Sequence, residues 1–374
     1  MENKVCKRCI MSSSGDPNIS FDENGFCNYC NEAIEKMKKS YFPNEEGKKR
    51  LSEMIARIKE KSKDSKYDCI MGVSGGLDSS YLLYLGTKWG LRILAIHIDD
   101  GFDTNISSSN IKKLIKACGC DYIEIKPDAE QYANINKAYL KAGVPNIAVP
   151  QDNILFAELH FQMRKYKIRF FLSGSNFSLE SILQSGNTHT AYDLVQIKDI
   201  FRKYGTGKID KLRFMSTSDM QKDQRILHYE TLAPLNLVDY RRDSAFKELN
   251  EFCGFEYYGR KHLENIFTAF VQLYWLPKKF NVDKRKSHLS SMIISNQLTR
   301  EEALNELQEP MFEKEMMEEY IKIIKEKLMI SDDVFDNIMS SPARSHDDFK
   351  KETDTFAYKL KRIIWRVIKK FKKE

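Results

Sequence analysis

Between residues 67 and 235, short apolar runs alternate with longer stretches whose apolar positions recur every third or fourth residue. The runs at 68–73, 92–98, 122–126 and 168–172 read as strands, and the stretches at 79–89, 105–117 and 153–166 read as helices. Repeated βα units of this size predict an α/β fold with a parallel sheet covered on both faces. Upstream, 32–66 is rich in Lys, Glu, Met, Leu and Ile, with Leu51, Met54, Ile55 and Ile58 on one helical face, the pattern of an amphipathic linker helix. From about Glu248 onward the spacing is mainly helical. There "LTREEALNEL" opens a helix with Thr299 as N-cap and Glu302 three residues later. No internal repeat is visible.

A chain of 374 residues has the length of two or three domains and ample material for a core. With 42% hydrophobic and 30% charged residues, and only 17 Gly and 9 Pro, collagen-like, low-complexity and wholly disordered classes are excluded. No run of apolar residues is long enough to span a bilayer, and the start MENKVCKRC lacks the apolar segment of a secretory signal, so a cytoplasmic location is expected. The formal charge of +7 is a property of the tail. From Phe356 to Glu374 there are eight bases and one acid, which leaves the first 355 residues net neutral. A neutral body argues against a nucleic-acid partner, because gripping phosphates takes Lys and Arg spread over the contact surface.

Eight cysteines in a chain expected in the cytoplasm point to metal ligation or free thiols rather than disulfides. Cys6-x2-Cys9 and Cys27-x2-Cys30, 17 residues apart, match the spacing of a zinc ribbon or treble-clef knuckle. Each pair aims two thiolates at one tetrahedral ion, and Gly15 and Asp16-Pro17 suit the turns between them. Zinc is the expected metal, in a closed structural site. Cys69, Cys118, Cys120 and Cys253 form no such pattern and are expected as core. The chain accordingly divides into a zinc-binding knuckle (1–40), a helical linker (41–66), the α/β unit (67–247), a helical region (248–345) and a basic amphipathic helix (346–374).

The most specific chemical signal is "CIMGVSGGLDSSYLL", in which an apolar strand runs through Ser74, Gly75, Gly76, Leu77, Asp78 and Ser79 into a helix. Adjacent glycines let a ligand approach the backbone and point successive N–H groups at it, and the helix N-terminus adds a positive dipole end. Those are the needs of a phosphate group. Ser74 and Ser79 supply hydroxyl donors, and Asp78 suits Mg2+. No Walker lysine follows, so this is not the GxxxxGK[ST] loop. The bland alternative, a Gly-Gly turn with an ordinary helix cap, does not account for a strand before and a helix after.

This loop resembles that of the PP-loop pyrophosphatase superfamily, which implies an adenine-nucleotide α-hydrolase-like fold for about 67–235 and cleavage of ATP between its α and β phosphates. Within that resemblance, His97 and Asp99 after the second strand would contact adenosine. Ser173, Gly174 and Asn176 after the fourth would form a second nucleotide-facing loop. The whole chain is similar to the N-acetyl sugar amidotransferase family of O-antigen and nonulosonic acid biosynthesis. The similarity lies in "CKRCIMSSSGDPNISFDENGFCNYC", "GVSGGLDSSY" and "YYGRKHLENIFTAFVQLYWLPKKFNVDKRKSHLSSMIISNQLTREEAL". Arg260 replaces the family's second glycine, and Leu263-Glu264-Asn265 stands where His-Glu-Ser is more familiar.

The resemblance implies conversion of an acetamido group on a nucleotide-activated sugar into an acetamidino group, with ATP and Mg2+. Asp78, Lys261, Lys284 and Arg285 are the expected catalytic residues. His262, Lys286 and His288 are neighbouring candidates for anion binding, and Glu180 and Glu264 for metal or proton. It also implies ammonia from a separate class I glutaminase. Glu2 follows Met1, and none of the unassigned cysteines sits in a GxCxG-type elbow, so no glutaminase nucleophile is expected here.

Two other readings fit parts of the pattern. A PP-loop tRNA thiolase needs thiols near the nucleotide, but Cys118-Gly119-Cys120 is expected at the opposite end of the sheet. A nucleotide sensor would bind without turnover. In the tail, Leu360, Ile363, Ile364, Val367 and Phe371 recur at helical spacing among the bases, as in a helix drawn to anionic lipid or one packed on protein; packing is the commoner use.

Overall fold

The computed structural model describes residues 3–259, 263–356 and 358–360. Two helices follow the N-terminal cysteine loops, α1 (Asn28–Ser40) and α2 (Glu45–Lys61). The single linker helix expected from the sequence is therefore split. Pro43 disfavours helical backbone at Phe42, Tyr41 is already extended, and Asn44 caps the second helix by accepting from the Gly47 N–H.

The α/β unit runs β1 (Cys69–Gly72), α3 (Leu77–Lys88), β2 (Ile93–Ile98), α4 (Asn105–Cys118), β3 (Asp121–Ile125), α5 (Ala129–Ala142), α6 (Val149–Tyr166), β4 (Phe170–Leu172), α7 (Phe177–Glu180), α8 (Leu194–Tyr204), α9 (Thr217–Ile226) and β5 (Glu230–Leu232). The five strands form one parallel sheet in the order β3-β2-β1-β4-β5. Successive strand residues face opposite sides. Cys69, Met71, Val73, Ile93 and Ala95 pack with α3, α4 and the later α10 (Arg242–Cys253), whereas Ile70, Leu94 and Ile96 pack with Leu159 and Met163 of α6. The strands read almost without interruption as apolar because both faces are covered.

Beyond α10 come α11 (Ile266–Phe270), a π-helical turn at Val271–Trp275, α12 (Leu276–Phe280), α13 (Arg285–Ile294), α14 (Arg300–Gln308), α15 (Lys314–Lys327) and α16 (Asp332–Ser340). The π turn ends at Trp275, two residues before Pro277, which has no N–H and crowds the carbonyl four residues back, so the ladder widens there. The Thr299/Glu302 capping box expected from the sequence is present. These helices share a core with the sheet unit. One buried cluster holds Tyr132, Tyr139 and Ile197 together with Phe267, Trp275, Ile324 and Phe349. A short backbone pairing does the same near the sheet, with Ile266 N donating to Phe102 O (2.7 Å) and Thr104 N to Glu264 O (3.0 Å).

Candidate active site

The chain runs outward from β1 to β2 and β3, then returns to place β4 on the other side of β1. Ligands of open α/β sheets bind at such a reversal, outside the carboxyl ends of the strands. Both loops singled out from the sequence lie there, one after β1 and the other after β4. Gly75 has φ +72°, and a Cβ on it would lie 2.4 Å from the Ser107 carbonyl oxygen. A Cβ on Gly76 would lie 2.5 Å from Glu264 Oε1. Gly75 tolerates no side chain, Gly76 has room for one only if the Glu264 carboxylate moves, and the N-terminus of α3, which Gly76 begins, faces the cavity. Ser74 and Ser79 hydroxyls lie 3.2 Å apart, and Leu77 N donates to the Tyr258 hydroxyl at 2.7 Å. Gly174 lets the second loop pass close, since a Cβ there would sit 3.2 Å from Ser79 N.

In front of the loops is a cavity of about 540 Å3. Ser74, Gly76, Asp78, Ser79, His97, Ser173, Gly174 and Lys284 line it, so most of the residues expected in the site do come together. Val73, Ile96, Ile98, Leu155, Leu159 and Phe171 give it an apolar side. Asp78 accepts a short hydrogen bond from the Tyr240 hydroxyl. Asp78 and Glu264 are the carboxylates on the loop that would hold Mg2+, Glu264 Oε1 already accepting from Ser74 Oγ at 3.3 Å.

Three expected nucleotide contacts are placed differently. Asp99 turns from the cavity, accepting from Gly101 N (3.0 Å) and pairing with Lys126 at 2.8 Å, and its neighbour Asp100 lines the cavity instead. Asn176 is buried as the N-cap of α7, its Oδ1 accepting from Leu179 N at 2.9 Å. Gly75 lies behind the loop against Ser107 and shapes it from there.

His97 reaches the cavity wall, but both ring nitrogens are occupied, Nδ1 by Val73 O (2.8 Å) and Nε2 by Asp103 Oδ2 (2.7 Å). Both partners are acceptors, so both nitrogens carry protons and the ring is an imidazolium. Burial alone would lower its pKa, and the hydrogen bond and charge of Asp103 outweigh burial and raise it. The ring thus ties the end of β1 to the loop that pairs with Glu264 and Asn265.

Asp100, part of the stretch from His97 to Phe102 that the resemblance places near adenosine, is the hub of a network. Its Oδ1 accepts from Phe102 N (3.0 Å) and Asn265 Nδ2 (3.2 Å), and its Oδ2 from the Tyr132 hydroxyl (2.9 Å) and Gln151 Nε2 (2.6 Å). Burial raises its carboxyl above the ordinary value, and these donors oppose the rise. Asp152, beside Gln151, also faces the cavity.

From the C-terminal region, Lys284 enters the cavity just ahead of α13, with Glu180 facing it. Burial holds its ammonium below the ordinary lysine value, and Glu180 opposes the shift. Among the described residues it is the one Lys or Arg in the lining. Arg285, expected beside it as catalytic, is turned elsewhere. It pairs with Asp283 (Nη2–Oδ2 2.8 Å), donates to Glu309 O (2.9 Å), and lines a smaller adjoining recess with His288. Lys286 donates to Ser12 Oγ at 2.8 Å. Lys261 and His262 lie outside the described residues.

The four N-terminal cysteines converge with all their sulfurs within 4.8 Å of one another, all buried. Cys6 and Cys30 sulfurs are 3.8 Å apart, and those of Cys9 and Cys27 3.6 Å. A tetrahedral ion with Zn–S bonds of about 2.3 Å puts sulfurs about 3.8 Å apart, and a disulfide needs about 2.05 Å, so the arrangement fits one metal and no disulfide. Cys27 N and Cys9 N donate to Cys6 Sγ at 3.2 and 3.5 Å, as thiolate ligands require. Cys118 and Cys120 flank the turn into β3 at the opposite end of the sheet, and no cysteine lines the cavity among the described residues.

Among curated proteins, none matches the chain. Solved structures that resemble it include an NMN synthetase from Francisella tularensis, with 12% identity, a TM-score of 0.29, and coverage of 58% of this chain and 99% of that one. Another is an NH3-dependent NAD synthetase from Campylobacter jejuni in complex with the nitrate ion, with 16% identity, a TM-score of 0.30, and coverage of 55% and 93%. Over residues 264–370, which include Lys284, the chain matches the family model described as LPS biosynthesis protein WbpG-like, C-terminal domain.

Proposed function

We propose that the protein is an ATP-dependent, AMP-forming amidotransferase that converts the acetamido group of a nucleotide-activated N-acetyl sugar into an acetamidino group. The observation that carries this reading is the N-terminus of α3 behind Gly75 and Gly76, facing the cavity that Lys284 enters from the WbpG-like region. An amide oxygen is a poor leaving group because the nitrogen lone pair is delocalised into the carbonyl. Transfer of AMP to that oxygen makes an imidate whose leaving group is AMP. Ammonia then adds at carbon, and AMP departs carrying the original amide oxygen. In this scheme the loop N–H groups, Ser74 and Ser79 hold the pyrophosphate as it leaves, and Lys284 balances its charge. Mg2+, held by Asp78 and Glu264, supplies further neutralisation of the phosphates. The apolar side of the cavity holds adenine, and the face formed by Gln151, Asp152 and Asn265 is left for the sugar and the incoming nitrogen.

The nitrogen is assigned to a separate glutaminase, because an adenylated imidate must be kept from water while ammonia is delivered. The four cysteines hold a structural zinc. The test is mass spectrometry of a panel of UDP-linked N-acetylhexosamines and their uronic acids incubated with ATP, Mg2+ and ammonium. A product lighter by the difference between O and NH, with equivalent AMP, is expected. ADP in place of AMP would refute the reading.

A further inference from the structure

The addition step needs a proton acceptor. As ammonia bonds to the carbon of the imidate, which keeps the amide N–H proton, its nitrogen becomes cationic, and one proton must leave that nitrogen before AMP is expelled to give the amidinium. The titratable groups lining the cavity can be examined one by one for a carboxylate or lone pair that is available.

His97 has no lone pair to offer, because both nitrogens donate. Asp103 is engaged by that imidazolium. Asp100 accepts four hydrogen bonds on its two oxygens, from Phe102 N, Asn265, Tyr132 and Gln151, which makes it a fixed structural anion. Tyr132 and Tyr258 are held as neutral phenols, because burial and nearby carboxylates push both well above the ordinary tyrosine value. Asp78 and Glu264 belong to the phosphate loop, bonded by the Tyr240 and Ser74 hydroxyls. Glu180 accepts from Asn176 N (3.4 Å) and faces Lys284.

Asp152 differs from all of these. Its carboxylate has no hydrogen-bond or ion-pair partner among the described residues, although its backbone is fixed in the first turn of α6 through Asp152 N to Ala148 O (3.0 Å). It is solvent-accessible, yet the space it opens into is the cavity, and protein surrounds it on the other sides. Tyr132 from α5 and Tyr192 from the segment ahead of α8 face it, and Asp100 stands on the far side of Tyr132. No cation faces it among the described residues. It lies next to Gln151 and one helical turn ahead of Leu155 in the cavity lining, within reach of the face where the sugar and the nitrogen are placed above.

We propose that Asp152 accepts the proton from the attacking nitrogen. This rests on the amidotransferase reading. The carbon–nitrogen bond forms, and the carbon–oxygen bond to AMP breaks with its electron pair leaving on AMP. One of the three protons on the new nitrogen passes to the Asp152 carboxylate, which later releases it to solvent. Burial raises the Asp152 carboxyl to about 6, so the group is ionised at neutral pH yet a better proton acceptor than an ordinary aspartate.

The test compares the full-length protein with Asp152→Asn. ATP–pyrophosphate exchange, dependent on a sugar from the UDP-N-acetylhexosamine panel, reads adenylation. Amidine formation with ammonium chloride at fixed free ammonia reads the second step. Asp152→Asn is expected to depress amidine formation about a hundred-fold more than exchange, the scale of a lost general base. It should also remove an acid limb centred near pH 6. Equal loss of both activities, or amidine formation at the wild-type rate, would overturn the proposal. If no sugar supports exchange, the amidotransferase reading fails by itself. The carboxyl is then read directly by carbodiimide and glycine ethyl ester labelling of the Asp152 peptide across pH. Labelling that persists to about pH 6 supports an available, raised carboxyl, and labelling that fades with the other aspartates contradicts it.

Discussion

Gly75 and Gly76 are the two positions where conformation and chemistry are the same fact. Gly75 is in the left-handed region with the Ser107 carbonyl where a Cβ would be, and Gly76 is pressed by Glu264. The role of Gly75 was legible because few other residues take that backbone, whereas Gly76 is extended, with φ −79°, and is small only for want of room. Gly75→Ala is expected to abolish AMP and pyrophosphate formation, with about 1–2 kcal/mol of backbone strain before the clash is counted. Retained activity in a soluble variant would remove the loop from the mechanism. Asp78→Asn should lose AMP formation while its denaturation midpoint stays close to that of the parent, since the side chain faces the cavity. The Asp100 network was not legible, because its donors come from Phe102, Tyr132, Gln151 and Asn265, up to 165 residues away. His97 lines the cavity, but what its ring bonds to was not legible, for a related reason. The motif places a histidine at the end of β2, and only the fold reveals that Val73 and Asp103 take both its nitrogens. Its raised folded pKa has a consequence for stability. The imidazolium's contribution is fully present below the unfolded value near 6.5 and is lost as pH rises through the higher folded value. Urea midpoints of the parent and His97→Gln should therefore differ more at about pH 5.5 than at about pH 8.5. A gap that is constant or widens with pH would contradict the imidazolium assignment.

At the scale of elements, the cysteine knuckle rests on the helix that follows Lys284. Ile10 N donates to Ser290 Oγ (3.2 Å), Lys286 to Ser12, and Arg300 to the carbonyls of Cys6 and Cys9 (both 3.2 Å). The apolar cluster of this lobe, with Met11, Tyr29 and Ala33, is packed around the four cysteines, so an ion bound by them would contribute directly to its folding energy. One zinc per chain is expected by elemental analysis, and chelation should unfold the lobe, seen as lost amide protection over residues 3–40 and then over α13. Metal-free protein that keeps that protection would refute the assignment. The four-cysteine pattern was readable because ligand spacing is a local constraint. The Thr299 cap was readable for the same reason. Several elements escaped, α8 and α9 among them. β5 is three residues, Glu230–Leu232, with too little apolar length to register. Helix α5 is buried on nearly all sides, so it lacks a polar stripe, although its Asp128 cap and Gly143 terminator were in view.

For the molecule as a whole, the parallel sheet with both faces covered followed from the βα rhythm, because crossover helices force parallel neighbours, whereas the strand order β3-β2-β1-β4-β5 did not. The partition at 247/248 had no such basis, and the main buried cluster crosses it, joining Tyr139 to Trp275 and Phe349. That shared core brings Lys284 to the loop after β1 across more than half the chain. Among the described residues no helix is long and apolar enough to cross a membrane. The basic tail helix expected at 346–374 lies mostly outside the described residues, from 361 onward. The packed-helix reading predicts equal flotation with anionic liposomes for the full chain and for one ending at Thr355; flotation of the full chain alone would favour the lipid-bound reading.

The central claim is that AMP is transferred to the acetamido oxygen and leaves carrying it. The direct measurement uses a nucleotide sugar whose acetyl carbonyl bears a heavy-oxygen label, incubated with ATP, Mg2+ and ammonium. The account predicts that the label appears in the phosphate of AMP, one per amidine formed, with none in pyrophosphate. Label retained in the sugar product, or released to water while AMP stays unlabelled, would contradict it.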